Sequence, residues 1–153
     1  MMSFTYAQLK QAIQDYTEND ETTFVANLPL FIRAAEERIL KTVQLDFFRK
    51  NVAGNLAASN QYLAAPTDFL APFSLSFTDA DNNKNFLLFK DVNFVQEFNP
   101  DPTTTGLPRF YAVFDISNFI IGPTPDSNYA VELHYYYRPA SLTIGAESGT
   151  TWL

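Results

Sequence analysis

The sequence predicts an α+β fold, with N-terminal helices packed beside an antiparallel β-rich region. Apolar residues recur every three or four positions before residue 50 and alternate with polar ones from Val52 onward, and the 153 residues include fifteen Phe and eight Tyr. The first period is that of a helix and the second that of a strand, while aromatic residues favour strands and interfaces. Within one folding unit we expect a helical region (1–50), a β-rich region (51–139) and an irregular C-terminal segment (140–153).

A first helix is predicted to begin at Thr5. Thr5 and Gln8 have the spacing of a capping box, in which each side chain binds the backbone N–H of the other residue. One face of this helix carries four apolar residues: Tyr6, Leu9, Ile13 and Tyr16. The polar stretch from Thr17 to Thr23 is expected to end it.

A second helix is predicted from about Leu28 to Leu45, and a short helical turn from Phe24 to Asn27 is a possible extension before it. Pro29 is placed in its first turn, where proline is tolerated. One side carries an apolar stripe: Leu28, Phe31, Ile32, Ala35, Ile39 and Val43. The first helix offers less apolar surface than this stripe, so part of the stripe is expected to need another partner.

Charged residues are expected on the other side of the second helix. Arg33, Glu37 and Lys41 follow one another at four-residue spacing. Glu36 and Glu37 are adjacent, so their side chains point about a hundred degrees apart and do not converge on one substrate. We predict instead that both glutamates pair with Arg33 and Lys41.

Alternation of apolar and polar residues predicts the strands after Val52. Two hairpins are expected, one joining Phe73–Phe77 to Phe86–Phe89 through Asp79–Lys84, the other joining Arg109–Phe114 to Asn118–Ile121 through Asp115–Ser117. A short helix capped by Asp91 and extending to Phe98 lies between them, followed by a loop from Asn99 to Pro108. The clearest strand runs from Tyr129 to Arg138.

Charge and composition exclude several classes of function. The net charge is −7, and residues 51–153 carry four basic and ten acidic side chains. Without a basic stripe, tight binding to phosphate backbones is not expected. Cysteine is absent, which excludes disulfides and thiolate chemistry. We expect a soluble protein without a signal peptide, because the N-terminus has no apolar run and no segment is long and apolar enough to span a membrane.

No set of residues with the spacing of a catalytic, cofactor or metal site is found. The single histidine, His134, lies in mid-strand without a nucleophile motif around it. Asp79, Asp81 and Asn83 imitate the start of a calcium loop, but lysines occupy the positions that need Gly and Glu, so a plain turn is predicted. The five glycines are dispersed, so no phosphate-binding loop is expected.

The tyrosine run Tyr135–Tyr137, with Phe110 and Tyr111 nearby, has two interpretations. It is either a stacking platform for sugars, or a strand whose alternate tyrosines pack in the core while the others contact a partner. A platform for nucleic acid is less favoured, because the region is acidic. A carbohydrate-binding β module is therefore the alternative function.

Several short motifs follow one another along nearly the whole chain. They are Thr22-Thr23-Phe24, Leu28-Pro29-Leu30-Phe31-Ile32-Arg33, Ala35-Glu36-Glu37-Arg38-Ile39, Tyr62-Leu63, Pro66-Thr67-Asp68-Phe69-Leu70, Gly122-Pro123-Thr124-Pro125, Val131 to Pro139, and Thr151-Trp152-Leu153. In order and spacing they resemble the head-to-tail adaptor (connector) proteins of short-tailed bacteriophages. The resemblance implies a helical body interrupted by a β-rich insertion.

The resemblance also implies a function and partners. Such proteins are structural virion proteins without enzymatic activity or cofactors, and usually form dodecameric rings at the neck, between the portal protein and the tail nozzle protein. We expect assembly in the host cytoplasm, no contact with membranes, and viral DNA that passes through the channel without specific binding. As candidate interface residues we select Arg33, Tyr136, Arg138 and Trp152.

The chain departs from similar adaptors at its end. Those proteins continue beyond the Trp-Leu pair into further helices that complete the helical body, and these C-terminal helices are missing here. Either the chain is truncated, or a neighbouring subunit or the portal completes its helical layer. The apolar residues Trp152 and Leu153 fit both interpretations, since a terminus exposed to water is usually polar.

Overall fold

The computed structural model describes residues 4–43 and 46–144. They divide into a helical unit, formed by residues 4–43 with 139–144, and a β unit, Asp46–Arg138. The predicted α+β class, with N-terminal helices followed by a largely antiparallel sheet, is confirmed. Among the residues described, no helix has the length and apolar character needed to cross a membrane.

The elements are numbered in chain order. The helices are α1 (Tyr6–Thr17), α2 (Thr22–Thr42) and α3 (Val92–Phe98). The strands are β1 (Arg49–Leu56), β2 (Tyr62–Ala64), β3 (Phe69–Thr78), β4 (Lys84–Phe89), β5 (Thr105–Gly106), β6 (Phe110–Val113), β7 (Asn118–Gly122), β8 (Thr124–Pro125) and β9 (Tyr129–Tyr137). Short 3₁₀ turns are formed by Asp46–Phe48 and Leu142–Ile144.

Helix α1 begins where the capping box predicted. The N–H of Gln8 donates to Thr5 Oγ1 at 3.2 Å, and the N–H of Thr5 donates to Gln8 Oε1 at 2.9 Å. Two backbone donors that lack partners within the helix are thereby satisfied. Tyr6 is buried, but Tyr16, predicted on the same face, is 92% exposed. The last turn of α1 therefore lies outside the packed face.

Helix α2 begins earlier than predicted, at Thr22, so the placement of Pro29 in the first turn was wrong. Pro29 lies inside the helix, where it cannot donate a hydrogen bond to the carbonyl of Val25. Leu28 and Ile32, on either side of it, are both buried. Burial of this face outweighs the local preference of proline, because packing supplies most of the stability of a helix in a protein.

The buried face of α2 also differs in phase from the predicted stripe. The buried residues advance four positions at a time: Leu28, Ile32, Glu36 and Leu40. Phe31 and Val43, predicted inside, are 50% and 44% exposed. Hydropathy alone could not place this face, because a glutamate occupies one of its four positions.

Glu36 binds the chain where it returns to the helical unit. Its carboxylate accepts hydrogen bonds from the hydroxyl of Ser141 at 2.7 Å and from the N–H of Leu142 at 2.8 Å. The predicted pairing of Glu36 with a basic neighbour was therefore wrong. Glu37 does face Lys41, at 3.9 Å. Because Leu142 joins Tyr6 and Ile32 in one apolar cluster, Glu36 fixes the residue that completes this small core.

Seven strands form the main sheet, in the order β1-β9-β3-β4-β6-β7-β2. All neighbours are antiparallel except β4 and β6, which are parallel and connected through α3. Both predicted hairpins, β3-β4 and β6-β7, are confirmed. Strand β9 pairs along its length with β1 on one side and β3 on the other.

One face of this sheet carries the main core. The buried residues of this inner face are Leu56, Leu63, Leu75, Phe77, Leu87, Tyr111, Phe119, Ile121, Val131, Leu133 and Tyr135. Leu56 of β1 and Leu63 of β2 belong to the same cluster, although their strands are at opposite ends of the strand order. The sheet therefore curls and turns its two edge strands towards each other.

Helix α3 packs on the other face of the sheet at β6 and β7. Val95 of α3 forms a cluster with Ala112 and Ile120. A Cβ at Gly122 would lie 2.8 Å from Val95 Cγ1, so glycine is needed there for the close approach of helix and strand. The helix predicted after Asp91 is confirmed, although the Asp91 side chain makes no capping hydrogen bond.

We predict that Glu36→Ala destabilises the helical unit by about 1–3 kcal/mol, because the buried N–H of Leu142 loses its acceptor. Glu37→Ala is the matched control, with an expected cost below about 1 kcal/mol, since Glu37 is paired at the surface. Urea unfolding of both variants measures the difference. Equal costs for the two substitutions would show that the Glu36 contact does not hold the returning segment.

Candidate assembly interface

The side chains of β1, β9, β3 and β4 that point away from the core form a second surface, here called the outer face. It comprises Arg49, Asn51, Ala53, Phe73, Ser74, Ser76, Lys84, Phe86, Glu132, His134 and Tyr136. Strand register aligns these side chains in rows: Asn51 and Ser74 flank His134, and Ala53 and Ser76 flank Glu132. The outer face is thus fixed by the same pairing that fixes the core.

A β-bulge adds Phe73 to the outer face. The register of β3 against β9 shifts between Pro72 and Ser74, which leaves Phe73 as an extra residue. Phe73 is 49% exposed, whereas Leu75 and Phe77, predicted on the same side of the strand, are buried. The prediction failed at this position because strict alternation ends at a bulge. An aromatic ring is thereby transferred from the core side to the surface.

Arg49 packs against two rings of the outer face. Its guanidinium carbon lies 4.7 Å from the ring centroid of Phe73 and 5.8 Å from that of Tyr136. Arg49 also forms an ion pair with Asp46 at 2.9 Å. Aromatic and arginine side chains are the residues that most often dominate binding energy at protein interfaces. The group of Arg49, Phe73 and Tyr136 is here called the aromatic–arginine stack.

Beside the stack lies a polar cleft of about 160 Å³. It is lined by Asn51, Ser74, Ser76, Lys84, Phe86, Glu132 and His134. The Glu132 carboxylate accepts hydrogen bonds from Lys84 and Asn51, which lower the pKa of Glu132. Its charge is thus compensated within the surface, which lowers the cost of covering this carboxylate with a partner.

His134 is a packing residue of this face. Its ring lies edge-on to Phe73, with centroids 5.0 Å apart. The nearby carboxylate of Glu132 accepts its hydrogen bonds from Lys84 and Asn51.

The four candidate interface residues belong to different parts of the chain. Tyr136 belongs to the aromatic–arginine stack. Arg138 follows the end of β9, where its backbone N–H donates to the carbonyl of Asp68 at 2.7 Å. Arg33 is exposed on α2, in the helical unit. Trp152 lies outside the described residues.

Sequence reasoning missed most of the outer face. Arg49 and Phe73 were not selected, and Phe86 was noted only as part of an alternating strand. A signal for Phe86 and Leu88 was present, since the four residues Phe86 to Phe89 are all apolar and therefore place apolar side chains on both faces of the strand. Both side chains are more than half exposed, at 67% and 60%. A two-sided apolar strand at a sheet surface is typical of an interface.

A second exposed aromatic group, here called the aromatic ridge, lies on α3 and β6. Phe94 and Phe98 stack in parallel at 6.3 Å, and both meet Phe110 edge-on, at 5.1 and 4.9 Å. Phe94 and Phe98 are 40% and 47% exposed. Their four-residue spacing on a short helix was the available sequence signal. The ridge gives the β unit a second candidate binding surface.

The tyrosine run does not form a stacking platform. Tyr135 and Tyr111 are 3% and 1% exposed, and burial raises the pKa of Tyr111 to about 12. Tyr136, between two core residues, points outward instead. The packing of alternate tyrosines in the core is confirmed, and the contact of the others with a partner stays a prediction.

The Asp79 turn is organised by its own hydrogen bonds. Asp79 Oδ1 accepts from the N–H groups of Asp81 and Asn83, at 3.0 and 2.9 Å, and Oδ2 accepts from Asn85 at 2.9 Å. These bonds lower the pKa of Asp79. Within the described ranges, no group of three or more His, Asp or Glu side chains is placed to hold a metal ion.

The outer face carries three aromatic side chains of Phe and Tyr and one arginine, residue types that are enriched at protein–protein interfaces. The model of the SU10 adaptor protein family matches residues 4–153, so the chain belongs to that family of bacteriophage adaptor proteins. It is a structural component of the virion that interacts with other virion proteins. No curated protein sequence matches the chain.

We predict that calcium leaves the melting temperature of the protein unchanged. The oxygens of Asp79 are engaged by the turn, and a ligand that binds only the folded state must stabilise it. Thermal unfolding with millimolar calcium and with a chelator tests this expectation, with magnesium as the ionic-strength control. A rise in melting temperature that Asp81→Ala abolishes would establish a calcium site.

Proposed function

We propose that this chain is a head-to-tail adaptor that forms a ring, of twelve subunits as in similar proteins, between the portal protein and the tail nozzle protein. The observation that carries the proposal is membership of the SU10 adaptor family over residues 4–153. The outer face is a surface through which the subunits of such an assembly can bind one another. Assembly in the host cytoplasm precedes incorporation into the virion neck.

A ring requires two different patches on each subunit, because a contact that pairs one patch with itself closes at two copies. On the side of the sheet away from the main core, the β unit carries two aromatic groups at different positions, the outer face with Phe73 and Phe86 and the aromatic ridge with Phe94 and Phe98. If the outer face of one subunit contacts the aromatic ridge of the next, the subunits are joined head to tail, as a ring requires. This arrangement supports a cyclic assembly.

The charge of the chain fits a passive channel. With a net charge of −7, and four basic against ten acidic residues after residue 50, the protein offers little to neutralise phosphates. Repulsion between like charges keeps DNA mobile, since tight backbone binding requires Lys and Arg contacts. We propose that DNA passes through the ring without specific binding.

The proposed interface predicts that Phe73→Ala weakens ring formation at least tenfold while lowering the free energy of unfolding by no more than about 2 kcal/mol. The half-exposed ring contributes little to the core but belongs to the aromatic–arginine stack. Sedimentation and urea unfolding measure the two effects separately. Ile116→Ala, at a hairpin tip where the residue is 93% exposed, is the control and is expected to alter neither. Normal assembly of Phe73→Ala would remove the outer face from the ring contact.

We further propose that no residue of the chain is catalytic. His134→Ala should leave folding intact and change assembly by no more than about fivefold, the effect of an ordinary interface contact. Purified wild-type and variant proteins would be compared for hydrolysis of peptidoglycan and of ester substrates. A hydrolytic activity that is present in the wild type and lost in His134→Ala would contradict the structural role.

A further inference from the structure

We propose that residues 145–153 of the chain bind in an apolar groove of the helical unit, with the side chain of Trp152 as their anchor. The groove lies between α1 and α2 and is here called the helical groove. It belongs to the helical unit alone, so the inference does not depend on the proposed ring. The chain thereby covers an apolar surface of its own helices.

The helical groove has an apolar lining. Its volume is about 190 Å³. Helix α1 contributes Leu9 and Ile13 to the lining, and α2 contributes Phe31, Ala35 and Ile39. Transfer of an apolar side chain from water to such a surface is favourable, whereas a polar group without a partner is costly to bury there. The groove therefore selects an apolar occupant.

The α2 side of the groove is a row of apolar side chains that stays partly exposed. Phe31, Ala35 and Ile39 follow one another at four-residue spacing, each one position before a member of the buried row. Phe31 is 50% exposed. An apolar helix face is usually covered by another element, because burial of that face stabilises the helix. This row is the part of the predicted stripe that was expected to need a partner.

The chain reaches the groove just before residues 145–153. Leu142 is buried and lines the groove, and Ile144 is the last described residue. Within the segment that follows, the only bulky apolar side chains are those of Trp152 and Leu153. Trp152 stands ten positions after Leu142, and ten extended residues span up to about 35 Å. The segment is therefore long enough to turn back and place Trp152 in the groove.

Glu36 supplies an acceptor that suits an indole. It is the one charged residue in the described lining and is 6% exposed. Each of its carboxylate oxygens accepts one hydrogen bond, from Ser141 or from Leu142, and each has a lone pair for a second bond. A buried indole N–H needs such an acceptor. The groove thus fits tryptophan better than an aromatic ring without a donor.

The size of the groove and the covalent tether favour this segment over a separate molecule. A space of about 190 Å³ is smaller than the pockets of about 300–1,000 Å³ that hold small-molecule ligands, and an amphipathic helix from a partner needs a longer groove with several anchors. A segment on a short flexible linker competes at an effective concentration of about a millimolar. A second copy or another protein at micromolar concentration is therefore outcompeted.

The fluorescence of the full chain tests whether Trp152 is covered, because the chain contains a single tryptophan. We expect acrylamide to quench this fluorescence at least fivefold less efficiently in the folded protein than in a peptide of residues 145–153, since a buried indole is shielded from solutes. Equal quenching efficiency in the folded protein and in the peptide would overturn the proposal.

Two adjacent alanines of α2 test where Trp152 binds. Both are exposed, but Ala35 lines the groove and Ala34 does not. Ala35→Glu places a carboxylate in the groove and should raise the quenching of Trp152 to the level of the peptide. Ala34→Glu adds the same charge outside the groove and should quench as the wild type does. Ala35→Leu, which fills the groove without a charge, is a second blocking variant. Circular dichroism checks folding, and wild-type quenching in both folded Ala35 variants would contradict binding in the groove.

A mixture of two variants distinguishes the chain's own segment from that of a second copy. Trp152→Ala leaves the groove open, whereas Ala35→Glu keeps the tryptophan but blocks its own groove. Mixed at micromolar concentration, the tryptophan of Ala35→Glu should stay as quenchable as in the peptide, because only the tethered segment reaches a high effective concentration. Shielding of this tryptophan in the mixture would show that the segment binds a neighbouring subunit, and would refute the intramolecular contact.

Discussion

The pairing of β9 on both of its edges is the constraint on which the β unit depends. Its residues alternate strictly, so Val131, Leu133 and Tyr135 enter the core while the intervening side chains form the centre of the outer face. A register slip of one residue would exchange the two sets and bury Glu132 and His134. The cost of burying an unpaired carboxylate exceeds any gain from a slipped ladder. The register that builds the core is therefore also the register that builds the outer face.

Within that fixed register, the bulge at Phe73 places an aromatic ring on the surface of the sheet and not in the core. A phenylalanine moved from a buried to a half-exposed position forgoes about 1 kcal/mol or more of apolar burial. Its contacts with Arg49, His134 and Tyr136 offset this loss, since cation–π and edge-on ring contacts contribute about 0.5–1 kcal/mol each. A partner that covers the ring would add apolar burial to these contacts. Phe86, which is 67% exposed, has no comparable set of contacts within the described residues and depends more on a partner for burial.

The sequence predicted what local periodicity controls and missed what distant contacts control. The capping box at Thr5, both hairpins and the strand Tyr129–Tyr137 depend on neighbouring residues and were found. The buried glutamate of α2 could not be found, because its partners, Ser141 and Leu142, lie more than a hundred positions away. The parallel pairing of β4 with β6 was missed for a related reason. The local signals that predict two successive hairpins do not determine which of their strands become neighbours in the sheet, or in which direction. The aromatic side chains of the outer face were the hardest to predict, since a bulge such as that at Phe73 leaves little trace in hydropathy.

Net charge and local surface act at different distances in the proposed ring. Neighbouring subunits that each carry −7 repel one another, but at physiological salt this repulsion is screened over about 8 Å. Association must therefore be decided by close contacts, and the outer face has few charges that are not already compensated: Glu132 by Lys84, and Arg49 by Asp46. Such a surface binds a partner without the large desolvation cost of unpaired charges. Acidic side chains elsewhere can then keep DNA away from the walls without weakening the contacts between subunits.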